Sequence, residues 1–292
     1  MNVTDEQLKI FCEKNPHLVS IKQSERYPDL SVVKYKRKVF YDNLWTPELM
    51  ELRGLVIDRD WNVIVRPFTK VFNRGERGTD IPLDMPVIAV RKVNGFMAAV
   101  TNTKKYGVIV STTGSLDSPF VDMAKEMLPV WCSTLQSSHH YTYLFEICHP
   151  NDPHIVTEQP GAYLIGIRYV YSGYEEQESE LDDVSNMHMR PEWKYCLFRD
   201  VLEMSKTCKH EGYMVRAVNG TVLKLKSPYY LTKKFFARVN SNKLTPGWLT
   251  QNKHTFDEEF YPLIDNILEN LEKFQALDET QRKQYIEDYL NG

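Results

Sequence analysis

A lysine with a glycine three positions on joins a primary amine to a tight turn. The amine can attack an activated phosphorus, and the glycine lets backbone come close to a nucleotide. The chain carries this spacing three times, at Lys92-Val93-Asn94-Gly95, Lys104-Lys105-Tyr106-Gly107 and Lys209-His210-Glu211-Gly212. That is about what average Lys and Gly usage produces by chance, so the pattern alone selects none of them. Context does. Lys92 follows the apolar run Pro86 to Val90, turns at Asn94-Gly95 and enters a second run, Phe96 to Val100, which reads as a hairpin burying the lysine stem. Lys104 lies in the polar stretch Thr101 to Lys105, and Lys209 is too near Glu211 to leave a pocket between them. Lys92 is the candidate nucleophile. An ordinary lysine, with a pKa of about 10.4, is almost wholly protonated at neutral pH, so it needs burial or cationic neighbours to react. Lys224, Lys226 and Arg53 are candidates for those neighbours, and they would also offset the charge of a pentavalent phosphorane.

Lys224 and Lys226 stand in a second recognisable unit. Tyr213 to Val218 and Thr221 to Lys226 are strand-like runs joined by Asn219-Gly220, the pair favoured in a two-residue type I′ turn. Pairing Val218 with Thr221 sets Val215 opposite Lys224 and Tyr213 opposite Lys226. The two-residue pleat then puts both lysines, with Glu211, on one face. Alone, such a cluster reads first as a solvent-side guard against edge pairing. With a matching nucleophile elsewhere, the two ammonium groups could embrace a phosphate while Glu211 holds a hydrated metal ion.

The elements that must position these groups alternate as strands. Leu52 to Val65 reads as strand, loop and strand, and Phe96 to Thr101, Tyr106 to Ser111, Tyr141 to Cys148 and Ala162 to Tyr171 are β-like. Helices are expected from Thr4 or Asp5 to about Cys12, after Ser118-Pro119 to about Leu128, and repeatedly from Phe256 onward. The acidic run Glu175 to Asp183 reads as a solvated loop or helix start. Thr245-Pro246-Gly247 marks a boundary. The expectation is an α+β fold of packed antiparallel sheets, with residues 1–240 forming one domain and residues 241–292 a small helical one.

Bulk composition adds little pull toward any partner. At 42% hydrophobic and 26% charged, with formal charge -3 over 292 residues, the chain is an ordinary globular one, and a polyanion would have to be held by local basic patches. Candidates are Lys34-Tyr35-Lys36-Arg37-Lys38, and Lys233-Lys234 with Arg238. Tyr229, Tyr230, Phe235 and Phe236 read as core before stacking surface. The amino end has no leader character and no stretch is apolar enough to span a bilayer, so a cytoplasmic protein is expected. Five cysteines without a C-x-x-C pair fit reduced thiols. His139, His140, Cys148, His149 and His154 lack finger-like spacing and read as ordinary histidines and a thiol, not a zinc site.

Taken in order, the elements resemble the covalent nucleotidyltransferase superfamily of polynucleotide ligases and mRNA capping enzymes. Lys92-Val93-Asn94-Gly95 is similar to its first motif and Leu144-Phe145-Glu146 to its third. Leu164 to Arg168 is similar to the element that follows, Glu211 to Arg216 to the fourth motif and Leu223 to Lys226 to the fifth. Upstream, Leu52-Arg53-Gly54-Leu55-Val56 and Arg66 to Asn73 resemble a segment peculiar to the bacteriophage tRNA-repair type of ATP-dependent RNA ligase. DNA ligases and capping enzymes follow the fifth motif with a β-barrel domain, whereas the 66 residues after Lys226 are expected to be helical in their later part, which favours the RNA ligase branch.

The resemblance implies an ATP-dependent RNA ligase that joins 5′-phosphate and 3′-hydroxyl ends through AMP on Lys92. Arg53, Lys70 and Tyr35 would hold the β- and γ-phosphates, and Gly95 the turn beside the nucleotide. Glu146 would contact the ribose or a metal-bound water, Glu211 the water shell of Mg²⁺ (or Mn²⁺), and Lys224 and Lys226 the α-phosphate. RNA repair on single-stranded RNA or tRNA, with DNA ends as further substrates, a monomeric state and a viral source acting in the host cytoplasm are the family's other implications. Asn94 departs from the Asp of many relatives and adds no charge for a metal. The alternatives are a DNA ligase or GTP-using capping enzyme of the same superfamily, and a nucleotide- or RNA-binding relative without catalysis.

Overall fold

The computed structural model describes residues 3–128, 140–184 and 189–291. From the amino end run α1 (Asp5–Lys14), β1 (Val19–Gln23), β2 (Ser31–Tyr35), α2 (Arg37–Tyr41), α3 (Pro47–Glu51), β3 (Arg53–Ile57) and β4 (Val63–Val65). Next come β5 (Phe72–Asn73), β6 (Pro86–Arg91), β7 (Phe96–Thr103), β8 (Gly107–Thr112), α4 (Pro119–Met127), β9 (Tyr141–Cys148), β10 (Gly161–Tyr169) and α5 (Glu178–Val184). The chain continues with β11 (Trp193–Leu197), α6 (Phe198–Thr207), β12 (Gly212–Ala217), β13 (Val222–Lys226) and α7 (Pro228–Arg238). It closes with α8 (Pro246–Asn252), α9 (Tyr261–Glu269), α10 (Leu271–Ala276) and α11 (Glu279–Asn291).

Helix starts follow local chemistry. Thr4 and Gln7 form a capping box at α1. Thr46-Pro47, Ser227-Pro228 and Thr245-Pro246 each open a helix, the hydroxyl accepting from Leu49, Tyr230 and Trp248 N–H respectively and the proline sitting where no donor is needed. Thr245-Pro246-Gly247 is thus the entry to α8, and the acidic run enters α5 at Glu178.

The fold is mixed α+β with antiparallel sheets, and the chain divides into two units. The first comprises Met1–Val71, Gly95–Pro153 and Glu158–Glu192. It holds the sheets β1-β2-β3-β4 and β10-β9-β7-β8, which bury Val32, Val56 and Val65 with Ala99, Ile109 and Leu144 in a shared core. A buried ionic cluster also ties this unit. Glu51 accepts from Arg168 at 2.7 and 3.0 Å and pairs with Arg66 at 3.4 Å, Arg168 donates to Pro67 O at 2.6 Å, and Arg66 reaches Asp5 on α1.

The second unit comprises Phe72–Asn94, His154–Thr157 and Trp193–Gly292. Its sheet runs β11-β6-β12-β13-β5, antiparallel except for the parallel pair β13 and β5. One face buries Val87, Ala89, Tyr213, Val215, Leu223 and Leu225 with Phe198 and Val201 of α6. The helices after residue 241 share a separate core with Tyr229, Tyr230 and Phe236 of α7, within this same unit. Those three aromatics are core, the reading placed first for them.

Two local expectations are corrected. β6 pairs with β11 and β12, and β7 with β8 and β9, so the chain around Lys92 links two sheets and forms no hairpin. The hairpin that carries the other lysines is also one residue out of the expected register. Met214 stands opposite Lys224 and Gly212 opposite Lys226. Instead of a two-residue turn, Val218 to Gly220 form a three-residue loop, with Ala217 N–H on Thr221 O and Gly220 at φ +87°.

Candidate active site

The sheet of the second unit places four of the sequence-selected residues on the face opposite its core. Lys92, the residue after β6, donates its N–H to Gly212 O at 2.8 Å, and Gly212 pairs with Lys226, so Lys92, Gly212 and Lys226 form one row. Val90, Met214, Lys224 and Asn73 form the next row. Glu211 stands between the first row's amines, with Lys92 Nζ 3.0 Å from Oε2 and Lys226 Nζ 3.7 Å from Oε1. Its carboxylate is almost fully buried, at 3% exposure.

Asn94 completes this cluster. Its Nδ2 donates to Glu211 Oε2 at 2.7 Å and its Oδ1 accepts from Val156 N–H at 2.9 Å. An amide can make both bonds at once, whereas aspartate has no donor to offer a carboxylate. Asn94 thereby bridges Glu211 and the backbone at Val156. Burial draws the Lys226 ammonium below the ordinary lysine range, Glu211 opposes that shift, and Lys234 and Lys92 add to it.

Sequence reasoning missed two neighbours. The Tyr230 ring lies 4.9 Å from Lys226 Nζ and 5.7 Å from Lys234 Nζ, and burial with Glu211 nearby pushes its hydroxyl up to about 12. Its position four residues after Lys226 was the available signal. Asn73, beside Lys224, donates to Glu76, and its Oδ1 is buried with no hydrogen-bond partner among the described residues.

In the first unit Gly95 and Glu146 meet directly, Gly95 N–H donating to Glu146 Oε1 at 3.1 Å. Gly95 has no room for more. A Cβ there would lie 2.1 Å from Ile147 O. Arg53 and Tyr35 border a cavity of about 610 Å³, which Lys34, Lys36 and Arg37 also line. Among the described residues lining it there is no carboxylate. Lys70 stands beside this group, its Nζ 5.8 Å from the ring of Phe40, which borders the cavity, and 5.5 Å from Trp45, whose ring meets Tyr35 at 4.7 Å. Cations over aromatic faces keep their charge directed while shedding some water.

The expectation for Lys233 does not survive. Lys233 is 1% exposed and paired with Glu287 at 3.0 Å, so it presents no backbone-tracking charge, whereas Arg238 is exposed and pairs with Glu279 at 2.9 Å. His149 is bound to Glu126 at 3.0 Å, and among the described residues no His, Cys, Asp and Glu group could hold a metal directly; His139 and Cys132 lie outside them. No described helix is long and apolar enough to cross a membrane.

Solved structures show the same fold. An archaeal ATP-dependent RNA ligase (form 2) is similar over 96% of this chain and 75% of its own, with a TM-score of 0.55 at 15% identity. A putative ATP-dependent DNA ligase from Aquifex aeolicus is similar over 97% and 75%, with a TM-score of 0.58 at 14% identity. Comparison with curated proteins finds no match. The family model described as RNA ligase matches residues 51–244, which include every sequence-selected site residue except Tyr35. With more than half of its length matched, the chain belongs to the RNA ligase family.

Proposed function

We propose that the protein is an ATP-dependent RNA ligase that seals 5′-phosphate to 3′-hydroxyl ends through a lysyl-adenylate on Lys92. The observation that carries this reading is the convergence of Lys92, Lys226 and Asn94 on the buried carboxylate of Glu211. In the first step Lys92 Nζ gives up a proton to solvent and, as the free amine, attacks the α-phosphorus of ATP. A P–N bond forms, the bond to the β-phosphate oxygen breaks, and pyrophosphate leaves. Lys224 and Lys226, on the same face, stabilise charge on the α-phosphate oxygens as it builds. Arg53, Lys70 and Tyr35 hold the β- and γ-phosphates and orient the leaving group. A 5′-phosphate oxygen then displaces Lys92, breaking the P–N bond and leaving AMP on the strand. Finally a 3′-hydroxyl attacks the original 5′-phosphorus and releases AMP.

Mg²⁺ or Mn²⁺ fits as a water-bridged ion. Glu211 already binds Asn94, Lys92 and Lys226, and Glu146 binds Gly95 N–H, so each would reach the ion through water, the mode in which Mg²⁺ takes one or two carboxylates plus substrate phosphates. When bound, the ion offsets charge on the non-bridging oxygens. Residues 1–240 would carry this chemistry, and residues 241–292 would form a helical appendage.

The test is transfer of label from ATP or GTP marked on the α-phosphate to protein stripped of bound AMP by pyrophosphate. Label from ATP that survives denaturation and is lost in Lys92→Ala is expected. Label from GTP alone would move the protein to the capping branch, and none from either would remove catalysis. Sealing of RNA against DNA strands then separates the RNA ligase from the DNA ligase reading.

A further inference from the structure

Helix α2 is little more than one turn long, and its residues divide sharply by side. Val39 is buried, whereas Arg37, Lys38, Phe40 and Tyr41 are exposed, Phe40 to 51% and Tyr41 to 75%. Residues three and four apart share a helix face, so Arg37, Phe40 and Tyr41 stand together, and all three border the cavity that also contains Arg53. The two rings meet edge to face at 5.8 Å, an arrangement that leaves broad π-surface facing solvent.

The charge around these rings is one-sided. Lys34, Lys36, Arg37 and Arg53 line the cavity and no described lining residue is acidic, in a chain whose formal charge is -3. Lys36 directs one N–H to Pro16 O, which leaves Arg37 and Lys38 as the cations carried on the helix itself. Exposed rings beside a cationic groove are what a polyanion with flat aromatic groups would select.

We propose that this rim binds single-stranded RNA, with bases stacked on Tyr41 and Phe40 and phosphates lying against Arg37 and Lys38. The choice of RNA as the strand rests on the ligase reading above. Aromatic faces accept every base and cations follow every phosphate, so the site tolerates sequence, while a duplex hides its base faces and is refused. A strand held here lies beside the groups assigned to the β- and γ-phosphates. Phe40 already stands under Lys70, so Tyr41 is the residue that tests the strand alone.

The experiment measures fluorescence anisotropy of a fluorescein-labelled oligouridylate on the full chain, alongside label transfer from ATP. Tyr41→Ala should weaken RNA binding roughly tenfold or more, and Tyr41→Phe should bind within about twofold of the parent, because only the ring stacks. Arg37→Ala should lower the slope of log affinity against log salt by about 0.7, one single-strand phosphate contact. Label transfer should be the same in Tyr41→Ala and the parent. Parent-level RNA binding by Tyr41→Ala would overturn the proposal, and so would loss of ATP labelling in step with RNA binding, which would give the rim to the nucleotide. A chain that binds RNA through Tyr41 yet never takes label supports the strand site and removes the ligase reading.

Discussion

Replacing Asn94 by aspartate exchanges one amide NH₂ for an oxygen at a point already occupied by a buried carboxylate. Asn94 is 6% exposed and its Nδ2 lies 2.7 Å from Glu211 Oε2. The bond to Val156 N–H survives in Asn94→Asp, because Oδ1 still accepts. The other bond does not. Two carboxylates in hydrogen-bond contact keep the geometry only if they share a proton. Holding a proton at pH 7 on a group with an ordinary value near 4 costs about 1.36 kcal/mol per unit, roughly 4 kcal/mol in all. Moving the groups apart instead forfeits a hydrogen bond to a charged acceptor, about 1.5 to 3 kcal/mol. Asn94→Asp should therefore lose roughly 2 to 4 kcal/mol at pH 7. The pH dependence identifies the cause. A shared proton means the folded state binds more protons than the unfolded chain between the ordinary carboxylate value and the raised one. Stability relative to the parent then falls as pH rises through that window and is restored toward its lower end. Urea denaturation of both proteins at pH 5, 6 and 7 measures this. A difference between parent and variant that stays constant across that range would refute the Asn94 to Glu211 contact as its source.

Gly95→Ala places a Cβ 2.1 Å from Ile147 O and forces β7 from β9 beside Glu146, so a loss of about 1 to 3 kcal/mol is expected, read by thermal unfolding; an unchanged midpoint would contradict the close approach. Arg168→Met leaves Glu51 with the longer Arg66 contact alone and frees Pro67 O, and should cost about 3 to 5 kcal/mol in urea; a loss below about 1 kcal/mol would show that the cluster is not closed. For Lys226, burial lowers the ammonium below its ordinary value of about 10.4, so between the two values the unfolded chain holds more protons and the residue's contribution to stability rises with pH. The stability of the parent relative to Lys226→Met should accordingly improve through that alkaline window, and a flat difference would remove desolvation as the cause.

How much of this was legible depended on the range of the interaction that set it. The two-residue pleat put Lys224 and Lys226 on one face whatever the pairing, so their shared side could be read from Thr221 to Lys226 alone. Their register could not, because Asn219-Gly220 satisfies both a two-residue turn and the loop with Gly220 at positive φ that the chain adopts. Asn94-Gly95 sent the same turn signal after Lys92, yet β6 and β7 take their partners from distant segments, and nothing local reports that choice. Lys233 looked like a surface cation because its partner, Glu287, lies 54 positions on. Asn94 looked like a weakened metal ligand because Glu211 is 117 positions away.

Glycine 212 shows the same limit in one residue. In the sequence it completes the third Lys-x-x-Gly, a chance occurrence that Lys209 cannot use, with its Nζ 3.5 Å from Leu290 O. In the sheet it is the middle member of the row Lys92, Gly212, Lys226. Neighbouring strands stand about 4.8 Å apart, so the outer two positions are separated by roughly twice that distance. Lysine amines rooted there can both reach Glu211 only across a middle position that offers no side chain. The backbone enforces this choice, since φ at Gly212 is +127° and a Cβ would lie 2.0 Å from Leu225 O. The glycine that carries no chemistry is therefore the one that brings the proposed nucleophile and a proposed α-phosphate ligand to the same carboxylate.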